Sequence, residues 1–470
     1  MLTPELDSTS PQPLYEQLYY YLRGEIEHGA LAPGEKLPSK RNLASSAKLS
    51  VMTVERAYSQ LTAEGYLRSE DRRGFFVEQV AAPGPPLPAE PTPTAAPPAA
   101  PAPQYQYDFA TNVVDAEAFP FSTWAKLTRE VLSSRDSALL SATDPQGVPE
   151  LREAIVRHLY QFRGIRVQPS QIVVGAGSEM LLSLLVQLLG REQGYAVEDP
   201  GYRKTAQILR KNGAPVFPIP MDEGGIDVGR LEGSAASVVH VTPSHHYPLG
   251  IIMPISRRYA LLHWAESAPE RYIIEDDYDS EYRFTGRPIP ALQGLDRAGR
   301  VIYLNTFTKS LSPSMRISYM VLPPLLAERY RKELYFYSST VPSFEQYSLA
   351  LFMQRGHLER HIWRTRKRYR LRRDALITAV RETGLTAYSR LSGADAGLHL
   401  LLTVQNGRRE SDLIAAAAEA GVRINPVSAC YDGPVPGTYL PTFILGYARM
   451  DEEHLTAACR LLQEGWQALP

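Results

Sequence analysis

A lysine surrounded by hydroxyl side chains is the first feature of this sequence that could carry out chemistry. Lys309 lies in TFTKSLSPSMR, residues 306–316, directly after the apolar run VIYLN. A lysine at the end of a buried strand can form a Schiff base with an aldehyde, while its neighbours bind a phosphate. The candidate phosphate ligands here are Thr306, Thr308, Ser310 and Arg316. Because most lysines are solvated surface residues, the segment needs support from elsewhere in the chain.

A second segment, rich in acids and tyrosines, provides that support. YIIEDDYDSEY, residues 272–282, predicts a buried strand ending in Asp276 and Tyr278, which as residues i and i+2 share one face. A carboxylate there can pair with the protonated nitrogen of a pyridine ring, and a phenol can hydrogen-bond to a ring oxygen. The rival interpretation is a divalent metal site, although no further carboxylate cluster complements this one. Its ligands would be Glu275, Asp276, Asp277 and Asp279.

Two shorter segments complete a candidate site. VVGAGSEMLL, residues 173–182, predicts a strand, a glycine turn and a helix start, where Gly177 and Ser178 can bind a phosphate. EDPGYRK, residues 198–204, places Tyr202 after a turn, where its ring can stack on a cofactor. The structural alternatives are a tight strand-to-helix turn for the glycine and a surface position for the tyrosine.

Residues 34–77 show a different pattern, of two short helices and a hairpin. Ser39 can cap the helix KRNLASSA, and a second helix, VMTVERAYSQLTAEG, presents Val54, Ala57, Tyr58 and Leu61 on one face. Two short strands flank residues 71–74 as a wing. Two short helices joined by a tight turn are typical of a helix-turn-helix.

The basic residues of this region are candidate DNA contacts. Lys40 and Arg41 can hold the phosphate backbone, and Met52, Thr53 and Arg56 near the start of the second helix can face base edges. Arg72 and Arg73 lie at the wing tip. A protein-interaction domain is the alternative, because residues 1–78 hold nine Lys and Arg against eleven Asp and Glu.

A proline-rich segment separates this region from the rest of the chain. Residues 81–104 contain ten prolines and almost no large apolar residue, which predicts a semi-rigid linker rather than a core. A ligand for a Pro-binding domain is the alternative, but no basic anchor flanks the prolines. Beyond it, β-branched runs alternate with amphipathic helices, which indicates a large α/β unit with a mainly parallel sheet.

The composition excludes several classes of protein. The 470 residues are 44% hydrophobic and 21% charged with a net charge of −1, as in ordinary globular proteins. Cys430 and Cys459 cannot form a disulfide framework. The N-terminus lacks a signal peptide, and the most apolar stretch, residues 171–190, is interrupted by polar residues. We therefore expect a cytoplasmic protein with no membrane segment.

Both halves resemble known families. LPSKRNLA, SVMTVERAY and the RRGFFV that follows EGYL resemble the winged helix-turn-helix of the GntR family across residues 12–78, with Val51 where that family often has a basic residue. The four chemical segments, in their order, resemble a fold-type I aminotransferase domain over residues 107–468. DPQGVPELREAI, TPSHHYPLGIIMP and NTFTKSLSPSMRISYMVLP are similar to motifs of the MocR/GabR regulators, in which the two domains are fused.

The resemblance implies a multidomain fold: a small α+β winged helix-turn-helix, residues 1–80, a linker, 81–106, and a large α/β aminotransferase fold of type I, 107–470. It implies pyridoxal 5'-phosphate (PLP) as cofactor, with Lys309 as the Schiff-base lysine, Asp276 at the pyridine nitrogen, Tyr278 at the ring oxygen and Tyr202 stacked on the ring. The residues implied near the phosphate are Gly177, Ser178, Thr306, Thr308 and Arg316.

Several positions depart from the family pattern. Ala142 stands where a tyrosine often reaches the partner subunit's phosphate, and His246-Tyr247 replaces an asparagine near the ring oxygen. FILGY, residues 443–447, lacks the arginine that grips a substrate carboxylate in true aminotransferases. Lys204 stands near where an amino-acid-sensing relative would use arginine, and Arg423 and Arg449 are the candidates to compensate.

These features predict a PLP-dependent transcriptional regulator, and the resemblance implies that it is a homodimer. We expect it to bind double-stranded operator DNA and to sense a small amine, an amino acid or PLP itself through Lys309. The alternatives are an active aminotransferase with a vestigial DNA-binding domain, and a PLP-binding fold used only for dimerisation. The sequence predicts no metal site.

Overall fold

The computed structural model describes residues 6–7, 9–80, 105–109, 114–134, 136–285 and 289–469. The chain divides into two compact units, Met1–Ala102 and Pro103–Pro470. The Pro-rich segment, residues 81–104, lies outside the described residues. Of the predicted linker, residues 81–106, the structure therefore describes only Tyr105 and Gln106. The amide of Gln106 donates a hydrogen bond to the Gly421 carbonyl at 2.8 Å. The packed backbone of the second unit therefore begins no later than Gln106.

The first unit is a winged helix-turn-helix, as predicted. Ser39 and Ser50 cap its second and third helices by accepting hydrogen bonds from the amides of Asn42 and Thr53, at 3.2 and 3.0 Å. The two strands form an antiparallel hairpin closed by the turn at residues 71–73. Its elements are α1 Leu14–Glu27, α2 Lys40–Ser46, α3 Val51–Ala63, β1 Leu67–Glu70 and β2 Gly74–Val77.

One face of α3 forms the centre of this small core. The four apolar residues predicted to share that face, Val54, Ala57, Tyr58 and Leu61, are fully buried against α1. The Tyr58 hydroxyl donates to the Pro38 carbonyl at 2.9 Å. Because this face is occupied by the core, the opposite face of α3 is left at the surface.

The second unit is built on an eight-stranded sheet. Its strands are β4 Ile172–Gly175, β5 Tyr195–Asp199, β6 Val216–Asp222, β7 Gly225–Ile226, β8 Val238–Val241, β9 Tyr272–Asp276, β10 Val301–Thr306 and β11 Ser318–Val321, in the order β4-β11-β10-β9-β8-β5-β6-β7. The pairs from β10 to β6 are parallel, whereas β4, β11 and β7 join by antiparallel pairs. The sheet therefore has a parallel centre, and the carboxyl ends of β8, β9 and β10 lie side by side.

In the described part of this unit, smaller strands and eleven α-helices accompany the sheet. β12 Ser389–Ser392, β13 His399–Val404, β15 Asn425–Pro426 and β16 Thr442–Gly446 form an antiparallel sheet, and β3 Tyr107–Asp108 pairs with β14 Val422–Arg423. The helices are α4 Phe121–Ser133, α5 Pro149–Arg163, α6 Ser178–Leu189, α7 Arg203–Lys211, α8 Val228–Glu232, α9 Ile255–Glu266, α10 Pro324–Glu333, α11 Ser343–Gln354, α12 His357–Glu382, α13 Glu410–Glu419 and α14 Glu452–Gln467. Within the described ranges, none of the helices has the length and apolar character needed to span a bilayer.

Candidate functional site

A cavity of about 250 Å³ opens at the carboxyl edge of the large sheet, where β8, β9 and β10 end. Ligand sites of open α/β sheets form at this edge, because loops from neighbouring strands converge there. Eight of the nine residues that the resemblance implied at a cofactor line it: Ser178, Tyr202, Asp276, Tyr278, Thr306, Thr308, Lys309 and Arg316. The ninth, Gly177, lies directly beside Arg316. Ser310, also a candidate phosphate ligand, is buried and is not a lining residue.

Lys309 follows β10 in a short turn at the cavity wall. Removal from bulk water lowers the pKa of its amine to about 8, and the carboxylate of Asp279 opposes this shift. The Lys309 carbonyl accepts a hydrogen bond from the buried hydroxyl of Tyr282 at 3.2 Å. The turn is thus tied to the loop after β9. The lowered pKa makes the neutral, nucleophilic form of the amine easier to reach than in a solvated lysine.

Asp276 ends β9, and its carboxylate is supported by a histidine from the next strand. His240 Nε2 of β8 lies 3.4 Å from Asp276 Oδ2. Tyr278 follows two residues later, and its hydroxyl lies 3.2 Å from His245 Nδ1. Burial raises the pKa of Tyr278 well above its ordinary value, so its hydroxyl keeps its proton and can act as a donor.

The remaining acids after β9 point to separate partners. Glu275 accepts hydrogen bonds from the amides of Leu292 and Gln293 at 2.7 and 2.8 Å. Asp277 forms an ion pair with Arg163 at 2.9 Å, and Asp279 Oδ2 lies 2.9 Å from His245 Nδ1. Alternation turns Asp276 away from Glu275 and Asp277, and the other three acids that the sequence grouped as a rival metal site each contact a different partner. Among the described residues, no group of three or more His, Cys, Asp or Glu is arranged to hold a metal ion.

Hydroxyls and an arginine gather at the other end of the cavity. Thr306 Oγ1 lies 2.7 Å from Thr308 Oγ1 and accepts a hydrogen bond from Ser318 at 2.8 Å. Gly177, with φ +99°, precedes α6, and a Cβ there would clash with the guanidinium of Arg316. The helix start and the guanidinium therefore approach as closely as glycine allows, so that an anion placed beside them can contact both.

Two charged residues at this end were not predicted as cofactor ligands. Glu179 Oε2 accepts from Arg316 Nη2 at 3.1 Å, and its other oxygen pairs with Lys204. The pKa of Glu179 is lowered, chiefly by the hydrogen bond from Lys204. The signal was present in the sequence, because Glu179 directly follows Ser178 in the first turn of α6.

The cavity also has an aromatic and imidazole wall, of which the sequence had indicated only Tyr247. Tyr247, Leu398 and His399 line it, and the rings of Tyr247 and Tyr202 meet edge to face at 5.8 Å. Burial lowers the pKa of His399 to about 3, so the ring stays neutral. His399 comes from β13 of the small sheet, and no local pattern links it to a strand over 100 residues earlier in the chain.

Of the segments that depart from the family pattern, His246-Tyr247 contributes one residue to the cavity, and FILGY contributes none. His246 is buried with Nε2 3.5 Å from Glu198 Oε2, so Tyr247 alone of that pair lines the cavity. Ile444, inside the segment FILGY, packs in a small apolar cluster with Leu401, Val427 and Cys430.

The two arginines suggested as compensating lie elsewhere. Arg423 Nη1 is 3.5 Å from Asp108 Oδ2, and Arg449 is exposed. Among the described residues, Arg316 is the single arginine of the cavity lining. Ala142 is likewise exposed and is not a lining residue.

The predicted DNA contacts lie at the surface of the first unit. Met52 is 64% exposed, and Arg41, Arg56, Arg72 and Arg73 are also exposed. Arg72 adopts φ +62° in the hairpin turn. The start of α3 and the wing tip therefore present the side chains that the sequence assigned to them.

Three of these side chains have partners within the domain. Lys40 Nζ forms an ion pair with Glu55 at 2.6 Å, and Arg73 pairs with Glu70 at 2.6 Å. Thr53 Oγ1 lies 2.8 Å from the capping Ser50 hydroxyl. Lys40 is thus partly neutralised, which its sequence spacing from Glu55 did not indicate.

Comparison with known families agrees with this geometry. The family of bacterial regulatory proteins named gntR matches residues 14–77, and the aminotransferase class I and II family matches residues 105–461. A crystal structure of a kynurenine aminotransferase from Pyrococcus horikoshii, in complex with PMP, is similar to the second unit. It has a TM-score of 0.66 and 26% identity, and it covers 77% of this chain and 90% of that chain.

Two curated relatives match this chain across both of its domains. The HTH-type transcriptional regulator YdeL of Bacillus subtilis is 40% identical over 99% of both chains. The probable rhizopine catabolism regulatory protein MocR of Rhizobium meliloti is 33% identical over 99% of this chain and 96% of its own. The chain therefore belongs to the MocR/GabR-type transcriptional regulators, which join a GntR-type helix-turn-helix domain to an aminotransferase-like domain.

Proposed function

We propose that this regulator binds PLP in the cavity of its second unit and uses Lys309 to couple a small amine, an amino acid or PLP itself to operator binding. The observation that carries the proposal is the convergence of Lys309, Asp276 and Tyr278 on one cavity from two adjacent strands and their loops. PLP, when bound, supplies an aldehyde that condenses with amines and a ring that withdraws electrons.

The residues of the cavity fit this cofactor from one end to the other. Asp276 offers a carboxylate, held by His240, for the ring nitrogen, and Tyr278 offers a protonated hydroxyl for the ring oxygen. Tyr202 supplies an aromatic face. At the phosphate end, the donors are the hydroxyls of Ser178, Thr306 and Thr308, the guanidinium of Arg316 and the amides at the start of α6.

The cavity favours sensing over turnover. A transaminase must grip the carboxylate of its substrate, and the only arginine among the described lining residues lies at the phosphate end. Lys204, the other exposed cation of the wall, is paired with Glu179. An amine that reacts in place of Lys309 frees that side chain, and the changed contacts supply the differential binding energy that a switch needs.

We further propose that the first unit binds double-stranded operator DNA through α3, the start of α2 and the wing. Arg41 and the exposed start of α3 support this, since phosphate contacts require only one basic face. We propose a homodimer that acts in the cytoplasm, where operator DNA is found. We also propose domains at residues 1–80 and 107–470, joined by the Pro-rich linker of residues 81–106.

The test measures operator affinity of the PLP-loaded protein with and without a panel of amines and amino acids. We expect at least one to change the affinity of the wild type by fivefold or more, because allosteric coupling of about 1–3 kcal/mol corresponds to about 5–150-fold. Lys309→Ala should bind the same operator but lose the response. Lys332→Ala, at an exposed lysine of α10 outside the cavity, is the matched control and should respond as the wild type does.

Two results would overturn the proposal. Steady multiple turnover with an amino acid and keto acid pair, at about 10 per second as in typical enzymes, would identify an aminotransferase. An undiminished response in Lys309→Ala would show that the effector acts without the lysine. Borohydride reduction followed by peptide mapping should place the cofactor label on Lys309, and a label on another lysine would refute the site.

A further inference from the structure

Helix α12, His357–Glu382, carries an unusually basic run on the aminotransferase-like unit. Residues 360–371, RHIWRTRKRYRL, contain six Arg or Lys and no Asp or Glu. Four of the cations are exposed and spaced so that they share one side of the helix: Arg360, Arg364, Lys367 and Arg370. We call these four residues the α12 basic face.

The opposite side of the helix is held firmly by the protein. Tyr369 and Leu376 are buried in the core that includes α14. Arg368 and Arg372 both pair with the buried carboxylate of Asp115, the latter at 3.1 Å. These contacts set the rotation of α12, so the α12 basic face stays at the surface.

The α12 basic face lacks acidic partners. Arg360 donates a hydrogen bond to the Arg355 carbonyl at 2.9 Å. In contrast, Arg364, Lys367 and Arg370 form no hydrogen bond or ion pair with any described residue. An exposed helix of an ordinary globular protein usually interleaves both signs of charge, with acids four residues from bases.

Additional positive charge lies beside this face. A second cavity of about 240 Å³ is lined by Arg283 and Arg366, by Arg163, which is paired with Asp277, and by Glu281 and Glu359. Burial raises the pKa of Glu281 to about 8, and two nitrogens of Arg283 are buried without a hydrogen-bond partner among the described residues. The pKa of Arg366 is lowered by burial and then by the charges of Arg370 and Arg283. The repulsion within this cluster would be relieved by a polyanion.

We propose that the α12 basic face binds the phosphate backbone of duplex DNA that flanks the operator. From Arg360 to Arg370 the helix rises about 15 Å, a length over which one DNA strand carries about four phosphates. Four cations in a row therefore match successive phosphates of one strand. The contact is independent of sequence, since it involves the backbone alone.

Duplex DNA is the polyanion that we expect at this face, because the chain already binds DNA through its first unit. The inference rests on the proposed function, in which the helix-turn-helix unit binds an operator. Once that unit is bound, flanking DNA is present near the rest of the same chain at a high effective concentration, so that individually weak phosphate contacts become useful. Trp363 and Leu371 are exposed beside this face, but its four cations outnumber these two apolar residues, which favours a polyanion over a lipid surface.

The test uses the full-length PLP-loaded protein and two duplexes, one limited to the operator and one extended by unrelated sequence on both sides. The variant replaces Arg364, Lys367 and Arg370 by Gln, which preserves helix propensity. On the long duplex, we expect the slope of log K against log salt to fall by about 2.7, or about 0.9 for each phosphate contact. On the short duplex, the slope should change by less than about 0.9, the contribution of one phosphate contact.

The matched control removes the same charge from another exposed helix, with Arg329, Arg331 and Lys332 of α10 replaced by Gln. Its slope should equal that of the wild type on both duplexes. A second measurement, the mass of each variant in solution by light scattering, should show no change in oligomeric state.

The outcomes separate this inference from the function on which it rests. If the wild type binds neither duplex, the proposed operator binding fails. If the wild type binds and both triple variants give its slope on the long duplex, the α12 basic face is not a DNA contact. Dissociation of the α12 variant into smaller species would instead identify the face as an interface between copies of this chain, and would overturn the proposal.

Discussion

Arg316 Nη2 donates to Glu179 Oε2 at 3.1 Å, across the end of the cavity that we assign to the cofactor phosphate. The same carboxylate pairs with Lys204, so two cations share one acid and the group of three keeps one net positive charge. A phosphate bound to Arg316 must therefore share that guanidinium with Glu179 or displace it. Because Glu179 is always present beside Arg316, any anion that binds there must first compete with this carboxylate, which weakens its binding.

Replacing Glu179 by Gln should tighten the binding of PLP. The pair is partly exposed, with 46% and 37% of the two side chains accessible, so the gain should be that of a surface ion pair, about two- to fivefold in Kd. Equilibrium titration of the apoprotein, followed by absorbance, measures it. Glu333→Gln, in the exposed pair with Arg329 on α10, is the control. Weaker binding by Glu179→Gln would mean that the carboxylate holds Arg316 and Lys204 in place for the cofactor.

The reaction of the apoprotein with PLP should depend on pH through Lys309. Only the neutral amine attacks an aldehyde, and burial lowers the pKa of Lys309 from its ordinary 10.5 to about 8. The rate should therefore rise with pH up to about 8 and level off above it. Stopped-flow absorbance measures the profile, and Lys309→Ala should not show this phase. A rate that continues to rise toward pH 10 would show that the amine is fully solvated.

The buried ion pair behind the cofactor strand should be essential for stability. Arg163 Nε lies 2.9 Å from Asp277 Oδ2, and the two side chains are 7% and 1% exposed. Arg163→Met leaves a buried carboxylate without its cation, which should cost about 3–5 kcal/mol of unfolding free energy. Urea denaturation measures the loss. Arg329→Met, which breaks the exposed pair with Glu333, should cost no more than about 1 kcal/mol. Equal losses in the two variants would contradict the prediction.

Arg41 and Lys40 should contribute unequally to DNA affinity, although they are adjacent. Arg41 is exposed and has no hydrogen bond or ion pair among the described residues, whereas Lys40 is paired with Glu55 at 2.6 Å. Arg41→Ala should weaken binding to every DNA sequence and lower the salt slope by about 0.9. Lys40→Ala should lower the slope by less, because part of its charge is already neutralised. Fluorescence anisotropy at several salt concentrations measures both, and a larger effect of Lys40→Ala would reverse the assignment.

The base-reading residues should behave differently from Arg41. Changes at Thr53 or Arg56, near the start of α3, should alter the preference at individual base pairs by about 1–3 kcal/mol each. A panel of operators with single substitutions measures this. An equal loss of affinity for every operator in the panel would instead show that Thr53 and Arg56 contact the DNA phosphate backbone.

Local patterns in the sequence were sufficient to predict several helices and strands and most of the residues that line the cavity. Ser39 and the face of Val54, Ala57, Tyr58 and Leu61 were predicted from capping and helical spacing, and both appear in the structure. Lys309, Asp276 and Tyr278 were predicted because each follows an apolar strand. Parallel strands bring their carboxyl ends to one edge, so residues far apart in the chain were expected to meet.

The sequence by itself therefore determined which residues end the central strands, and with them one side of the cavity. Only the tertiary structure decided the rest: which acid of EDDYD faces which partner, that Glu179 neutralises Arg316, and that His399 of the small sheet closes the wall. The physical reason is range. Strand alternation and helix capping act within a few residues, whereas ion pairing and cavity lining depend on side chains that the packing of separate elements brings together.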